Sequence, residues 1–163
     1  MNFSSYKNKK GFTLIEMLVV VAIIGLLSSI LLIALGPARD KAKDSRIIQE
    51  VNQVRSLAET TYNITYSIDN VPPGADLSTI SNQDLVQLVT DINNTGGELI
   101  LAKSPNNKNF VVFSKLNTQV PDSSTGALTT QYYCVDSSGQ ALFLTASPDY
   151  TSITSGSSPA SCH

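Results

Sequence analysis

Among the side chains that could form a functional site, Glu16 has the most unusual surroundings. Its carboxylate lies inside an apolar run, residues 12–35, and the next charged residue along the chain is Arg39. An ionisable side chain in an apolar segment is costly unless it is paired or reaches polar surroundings. The sequence therefore predicts that Glu16 has a partner.

Residues that could support catalysis are scarce. The one histidine in the sequence is His163, so no set of nucleophile, base and orienting group can be built around it. Asp136 and Asp149 flank the last predicted hairpin and could bind calcium, but the ligand spacing of an EF-hand loop is absent, which favours turn-stabilising aspartates. We predict no enzyme activity, no metal site and no cofactor.

The apolar run around Glu16 is long enough to cross a membrane. Residues 17–38 as a helix would cover roughly 33 Å, compared with about 30 Å for a bilayer core. Proline removes a backbone donor and clashes with the preceding turn, so we expect a kink or local unwinding at Gly36 and Pro37. Orientation is not settled by charge, because basic residues lie on both sides: Lys7, Lys9, Lys10, then Arg39, Lys41, Lys43, Arg46.

The charge distribution argues against a nucleic-acid partner. The formal charge is −2 and becomes −5 without residues 1–11, which carry three lysines and no acid. After Tyr62 the chain has three lysines and eight acidic residues. A phosphate-binding surface would need an excess of basic residues in that region.

Two conventional interpretations of the N-terminus leave something unexplained. A cleaved secretory signal could use Ala34-Leu35-Gly36 as its small-x-small site. However, the run exceeds the usual length of about 7 to 15 residues and Pro37 would follow the cut. A plain signal anchor explains the hydrophobicity but gives Glu16 no role.

The segment "KGFTLIEMLVVVAIIGLL" closely resembles the class III signal of type IV pilins and of the pseudopilins of type II secretion and competence systems. In that family a short basic leader ends in glycine, phenylalanine usually follows, and a glutamate lies four residues beyond it. The resemblance covers about 25 residues. It implies an α+β protein whose N-terminal helix assembles into a filament.

The resemblance also implies how the N-terminus is processed. A prepilin peptidase would cut after Gly11 and methylate the amino group of Phe12. Phe12 and Glu16 are an i, i+4 pair, so the new amino group and the carboxylate would lie one helical turn apart. In the family, the glutamate of one subunit pairs with the amino terminus of a neighbour, which makes Phe12 and Glu16 the predicted assembly residues.

A simpler role for Glu16 stays open. Thr13 and Glu16 form a T-x-x-E capping box, which would satisfy backbone donors at the start of the helix and complement its dipole. The side chain could also reach the headgroup region. Capping and assembly are compatible.

Beyond Pro37 the sequence predicts an amphipathic helix and a β-sheet. Apolar residues recur at helical spacing: Ile47, Val51, Val54, Ala58, Tyr62. Residues 81–93 predict a short helix with Ser81 and Asp84 as a cap-like pair. Two hairpins follow, "ELILAK" with "NFVVFSKL" and "TTQYYCVD" with "QALFLTA". The predicted fold class is α+β, with a long N-terminal helix packed on an antiparallel sheet of about four strands. This prediction does not depend on the leader.

The expected organisation has four parts: a leader (1–11), a transmembrane and polymerisation helix (12–36), an amphipathic helix (37–62) and a head with a Ser/Thr-rich tail (63–163). The tail is not expected to form a core. Cys134 and Cys162 would form one disulfide in an exported domain or remain two buried thiols in a cytosolic one.

The expected function is that of a major or minor pilin in a type IV pilus-like filament. Its partners would be related subunits, the peptidase, an inner-membrane assembly platform and the lipid bilayer. It would lie in the cytoplasmic membrane with its head outside before assembly. Two alternatives are a pseudopilin of a secretion or DNA-uptake system and a signal-anchored binding domain that never polymerises.

Overall fold

The computed structural model describes residues 11–156 and 160–162, apart from the side chain of Ala34. It divides the chain into two compact units, Met1–Ala38 and Arg39–His163. Most of the predicted leader, including Lys7, Lys9 and Lys10, lies outside the described residues, as does His163.

The first helix, α1, spans Leu14–Thr60 and contains Pro37. Gly36 and Pro37 both have helical backbone, so the local unwinding considered from the sequence does not occur. The kink expected at these two residues stays a prediction. Within α1, Leu14–Ile33 has a mean hydropathy of 2.7 and is long and apolar enough to cross a membrane.

The second half of α1 confirms the predicted amphipathic helix. Ile47, Val51, Val54 and Ala58 are fully buried in the main core. The prediction was wrong for Tyr62, because α1 ends at Thr60 and Tyr62 is exposed. The Thr61 amide donates to Ala58 O at 3.1 Å in a tightened last turn, and a short hairpin follows.

That hairpin consists of β1 (Tyr62–Asn63) and β2 (Thr65–Tyr66), with Ile64 at the turn. Ile64 has a φ of 74°. The left-handed region costs a residue with a Cβ roughly 1 to 2 kcal/mol, and β-branched residues are genuine outliers there. No spacing or turn motif in the sequence predicted this hairpin.

A second, longer sheet forms the centre of the head. Its strands are β3 (Leu99–Lys103), β4 (Phe110–Pro121), β5 (Leu128–Asp136) and β6 (Ala141–Leu144), in the order β3-β4-β5-β6 with antiparallel pairing throughout. Both predicted hairpins are confirmed. The β4 strand is longer than predicted, because an irregularity between Lys115 and Gln119 lets it resume pairing with β5.

Two further helices flank this sheet. The predicted helix is present as α2 (Gln83–Thr95), but the predicted cap was wrong by one residue, since Asn82 rather than Ser81 accepts from the Leu85 amide at 3.1 Å. A 3-10 turn, Leu77–Thr79, precedes α2. The third helix, α3 (Tyr150–Ser155), begins at Asp149 as its N-cap.

Alternation along the strands gives the sheet two apolar faces. One face packs in the main core with α1 and α2. The other forms a smaller core, and its members are Ile100, Ala102, Val111, Phe113, Cys134, Ile153, Ala160, Cys162. The expectation that the tail adds nothing to a core was therefore wrong, because this second face must be covered and Ile153 and Ala160 help to cover it.

Candidate assembly site

The start of α1, with the residues just before it, carries Gly11, Phe12 and Glu16, the residues predicted to take part in processing and assembly. Phe12 is 80 % exposed, and the apolar side chains that follow it are exposed as well. No described atom lies within 4 Å of the position that a Cβ on Gly11 would occupy. Gly11 and Phe12 are both exposed among the residues that the structure describes.

Glu16 forms the predicted capping box with Thr13. Its Oε2 accepts from the Thr13 amide and from Thr13 Oγ1, both at 2.8 Å. The Glu16 amide in turn donates to Thr13 Oγ1 at 3.3 Å. The capping interpretation is therefore confirmed. Both hydrogen bonds to the Glu16 carboxylate come from Thr13 in the first turn, and both use Oε2.

The apolar surface around Glu16 is large for a protein in water. Side chains from Leu14 to Ile33 are at least half exposed at nearly all large apolar positions, and none of the segment is buried. Contiguous apolar surface of this extent marks a membrane or protein interface. Glu16 is the acidic residue in the first turn of this surface.

The acidic residues of the head have a different environment. Asp44 is buried on α1, and its carboxylate accepts from the Asn117 amide at 2.6 Å, from Asn117 Nδ2 at 3.1 Å and from the Thr118 amide at 2.9 Å. These bonds fasten α1 to the irregular part of β4. Nothing in the sequence pattern identified Asp44, because its partners are 73 and 74 residues away.

Asp136 and Asp149 both stabilise turns, as the simpler interpretation predicted, and Asp136 also bonds to the distant residue Cys162. Asp136 accepts from Ser138 N at 2.9 Å, Gln140 N at 3.1 Å and Cys162 N at 3.1 Å. Burial raises the pKa of Asp136, but the hydrogen bonds from Ser138, Cys162 and Gln140 outweigh it and lower this pKa overall.

Asp149 caps α3, and hydroxyl bonds from Ser152 and Thr151 lower its pKa to about 2. Within the described part of the chain, no group of three or more histidine, cysteine, aspartate or glutamate side chains is arranged to hold a metal ion.

Cys134 and Cys162 form a disulfide, with their Cα atoms 5.8 Å apart. Both residues are fully buried in the smaller core. The disulfide joins β5 to the C-terminal segment. Beside it, the Cys162 amide donates a hydrogen bond to the Asp136 carboxylate. The predicted pairing is therefore formed, and it holds the tail against the second face of the sheet.

Comparison with known proteins supports the resemblance at the N-terminus and extends it into the head. Residues 6–32 match the model of the prokaryotic N-terminal methylation motif. The chain is 30 % identical over 115 residues to a fimbrial protein of Pseudomonas aeruginosa, a match that covers 58 % of this chain and 75 % of that protein. The chain belongs to the type IV pilin family.

A second relative of this pilin matches a shorter region. It is the type IV wide pilus major component PilA4 of Thermus thermophilus, 41 % identical over 64 residues, which are 39 % of this chain and 45 % of that protein. The match thus spans less than half of the Thermus protein. No solved structure matches this pilin significantly.

Proposed function

We propose that this pilin is a structural subunit of a type IV pilus-like filament. It would enter the membrane as a precursor, lose residues 1–11 by cleavage after Gly11, be methylated on the amino group of Phe12 and polymerise through α1. The observation that carries this proposal is the carboxylate of Glu16 one turn from residue 12, on a segment whose apolar side chains are all exposed.

Cleavage would change the electrostatics of the helix start. Hydrolysis of the peptide bond between Gly11 and Phe12 releases an amino group that is charged at neutral pH. Methylation keeps that charge. In an apolar filament core the ammonium of one subunit and the Glu16 carboxylate of another would each need the other, because removal of either leaves an unpaired charge.

The hydrogen bonds of Glu16 are compatible with pairing to a neighbour's amino group. Thr13 holds Oε2, so the carboxylate is already oriented, and its other oxygen takes no part in the capping box. A neighbour's amino group could therefore bind Glu16 without breaking the cap. Such pairing would also fix the axial position of one subunit relative to the next.

The apolar surface of Leu14–Ile33 would be covered at every stage. Lipid covers it before assembly, and neighbouring helices cover it in the filament, so the transfer exposes little apolar area to water. The head would lie outside the cytoplasm, where oxidising conditions maintain the bond between Cys134 and Cys162. A prepilin peptidase and an assembly platform would be the transient partners.

A pseudopilin of a type II secretion or DNA-uptake system would share the same N-terminus. The two relatives are a pilus component and a fimbrial protein, which favours the surface filament. Electron microscopy of cells producing the protein separates the two, since a pilus is a long surface fibre and a pseudopilus is a short periplasmic one.

The intact mass and N-terminal sequence of protein recovered from sheared surface material test the proposed processing. We expect a chain that starts at Phe12 and carries one additional methyl group. A Gly11→Val variant should retain residues 1–11, because the added side chain obstructs backbone entry into the peptidase, and Gly11→Ala should be cut more slowly. A mature chain that starts at Met1 or Pro37 would contradict the proposal.

A further inference from the structure

Three copies of the N-x-S/T motif occur in the sequence, and none has a role in the proposed filament. They begin at Asn2, Asn63 and Asn93. This motif marks asparagine amides that can receive a sugar chain in exported proteins. Because it specifies an amide and, two residues later, a hydroxyl, an enzyme that reads it must contact both side chains. Asn2 falls in the leader that we propose is removed, so the head retains two candidates.

The motif at Asn63 lies on the hairpin formed by β1 and β2. Asn63, Ile64 and Thr65 are all exposed, and Ile64 makes the sharp turn with a φ of 74°. Asn63 and Thr65 pair directly across this turn. Side chains of directly opposed residues lie on the same face of an antiparallel pair. The amide and the hydroxyl of this motif are therefore presented side by side on the surface.

The fold makes no use of these two side chains. Within the part of the chain that the structure describes, the Asn63 carboxamide and the Thr65 hydroxyl form no hydrogen bond. The hairpin is held to the head through Tyr66, whose amide donates to Asn107 O at 2.7 Å and whose ring packs edge-on against Phe110. Two-stranded hairpins contribute little stability of their own. The turn can thus open into the site of an enzyme while the core of the head stays folded.

The motif at Asn93 has the opposite environment. It lies in the last turn of α2, and residues two apart on a helix do not face each other. Thr95 is buried, and its Oγ1 donates to Asp91 O at 2.6 Å. Presenting the amide and the hydroxyl together would require α2 to unwind next to Ile92, which is fully buried in the main core. This second motif is therefore a control within the same chain.

We propose that Asn63 is the acceptor of an N-linked oligosaccharide and that Asn93 is left unmodified. The inference rests on the proposed function for the location of the head outside the cytoplasm, and it adds a modification site to it. The donor would be an oligosaccharide joined through a diphosphate to a membrane lipid.

The transfer exchanges one bond for another at the first sugar. Nδ2 of Asn63 bonds to the anomeric carbon, and the bond from that carbon to the diphosphate oxygen breaks with its electron pair. One proton of the amide passes to a base of the transferase. The products are the glycosylated side chain and the lipid diphosphate, so no oxidant or reductant is needed.

Peptide mass spectrometry of the full chain tests the assignment, with protein purified from the membranes and sheared filaments of cells that naturally produce it. Cleavage after aspartate and glutamate separates the two motifs into residues 60–69 and 92–98. We expect the added mass of an oligosaccharide on the first peptide, placed on Asn63 by fragmentation, and an unmodified second peptide. An unmodified Asn63, a sugar on a hydroxyl of the same peptide, or a sugar on Asn93 would overturn the inference.

Two substitutions at Thr65 isolate the role of the hydroxyl. Thr65→Val keeps the size and the branched shape, so the hairpin should form as before. The modification of Asn63 should nevertheless be lost, because a site that binds a hydroxyl rejects the analogue that lacks it. Thr65→Ser keeps the motif and should keep the modification. A sugar on Asn63 of the Thr65→Val protein would show that the motif is not what the enzyme reads, and would overturn the inference.

The outcomes distinguish this inference from the proposed function. Filaments built from chains with an unmodified Asn63 would overturn the modification and leave the filament standing. Chains that are processed and carry the sugar but never form filaments would defeat the proposed function and leave the modification standing.

Discussion

The two halves of α1 show the same backbone structure in two different environments. Leu14–Ile33 leaves its apolar side chains exposed, whereas Ile47, Val51, Val54 and Ala58 are fully buried against the head. The second half therefore finds its packing partners within the chain. Among the described residues the first half has none, and an exposed apolar surface of this extent marks a membrane or protein interface.

The acidic residues of the head and of the apolar segment differ in the same way, in the distance along the chain to their hydrogen-bond partners. Asp44 and Asp136 accept hydrogen bonds from residues distant in sequence, Asn117 and Cys162 among them. Glu16 accepts from Thr13, three residues away. The carboxylates of the head connect distant parts of the fold, while the carboxylate of the apolar segment bonds within its own turn, and we propose that a neighbouring subunit supplies its second partner.

Loss of the disulfide should affect the head and spare the apolar segment. Because the bond closes a loop between residues 28 positions apart, we expect Cys134→Ser with Cys162→Ser to lower the free energy of unfolding by roughly 3 to 4 kcal/mol. Denaturant titration of the full chain in detergent measures this. The helix signal of the apolar segment should survive the head's transition, and simultaneous loss of both would contradict the division into two units.

A smaller loss is expected when Asp44 is replaced by asparagine. Asp44→Asn keeps the shape but removes the charge that strengthens three hydrogen bonds, so the free energy of unfolding should fall by about 1.5 to 3 kcal/mol. The same titration tests it. Asp40→Asn, one turn earlier, is the matched control and should change stability little. Equal effects from the two variants would show that Asp44 does not anchor β4.

The smallest effect concerns acid stability of the head. Asp136 has a folded pKa below its ordinary value of 3.8, so its contribution is complete above that pH and is lost as the pH falls through the lowered value. Asp136→Asn should therefore flatten the decline in stability below about pH 3.8, as followed by thermal melts across acidic buffers. An unchanged pH profile would exclude this role.

Local patterns were enough to predict much of the architecture. The spacing of Ile47, Val51, Val54 and Ala58 identified the buried face of α1, and the turn residues after Asp136 placed the last hairpin. Cap geometry was less certain, because Ser81 and Asn82 are both good N-cap residues and the sequence does not state which one adopts the extended backbone at that position.

Long-range features could not be predicted in this way. The contact between Asp44 and Asn117 depends on an irregularity in β4 that no spacing rule reveals, and the tail's burial depends on a face of the sheet that has to be covered. Ile64 is a further case, since a β-branched residue is a poor choice for a left-handed turn. The capping box was predictable because Thr13 and Glu16 lie within one turn, and the assembly role of Phe12 and Glu16 stays a prediction.

The most direct test of the account is the variant Glu16→Gln. Glutamine preserves the capping box with Thr13 and removes the negative charge, so it separates capping from pairing with a neighbour's amino group. Surface filaments are counted by electron microscopy, with mass spectrometry to confirm processing. We predict a chain that is cleaved and methylated at Phe12 but whose filament yield falls about 100-fold or more, as for a stranded buried charge. Wild-type numbers of filaments from Glu16→Gln would show that Glu16 caps the helix and has no essential part in assembly.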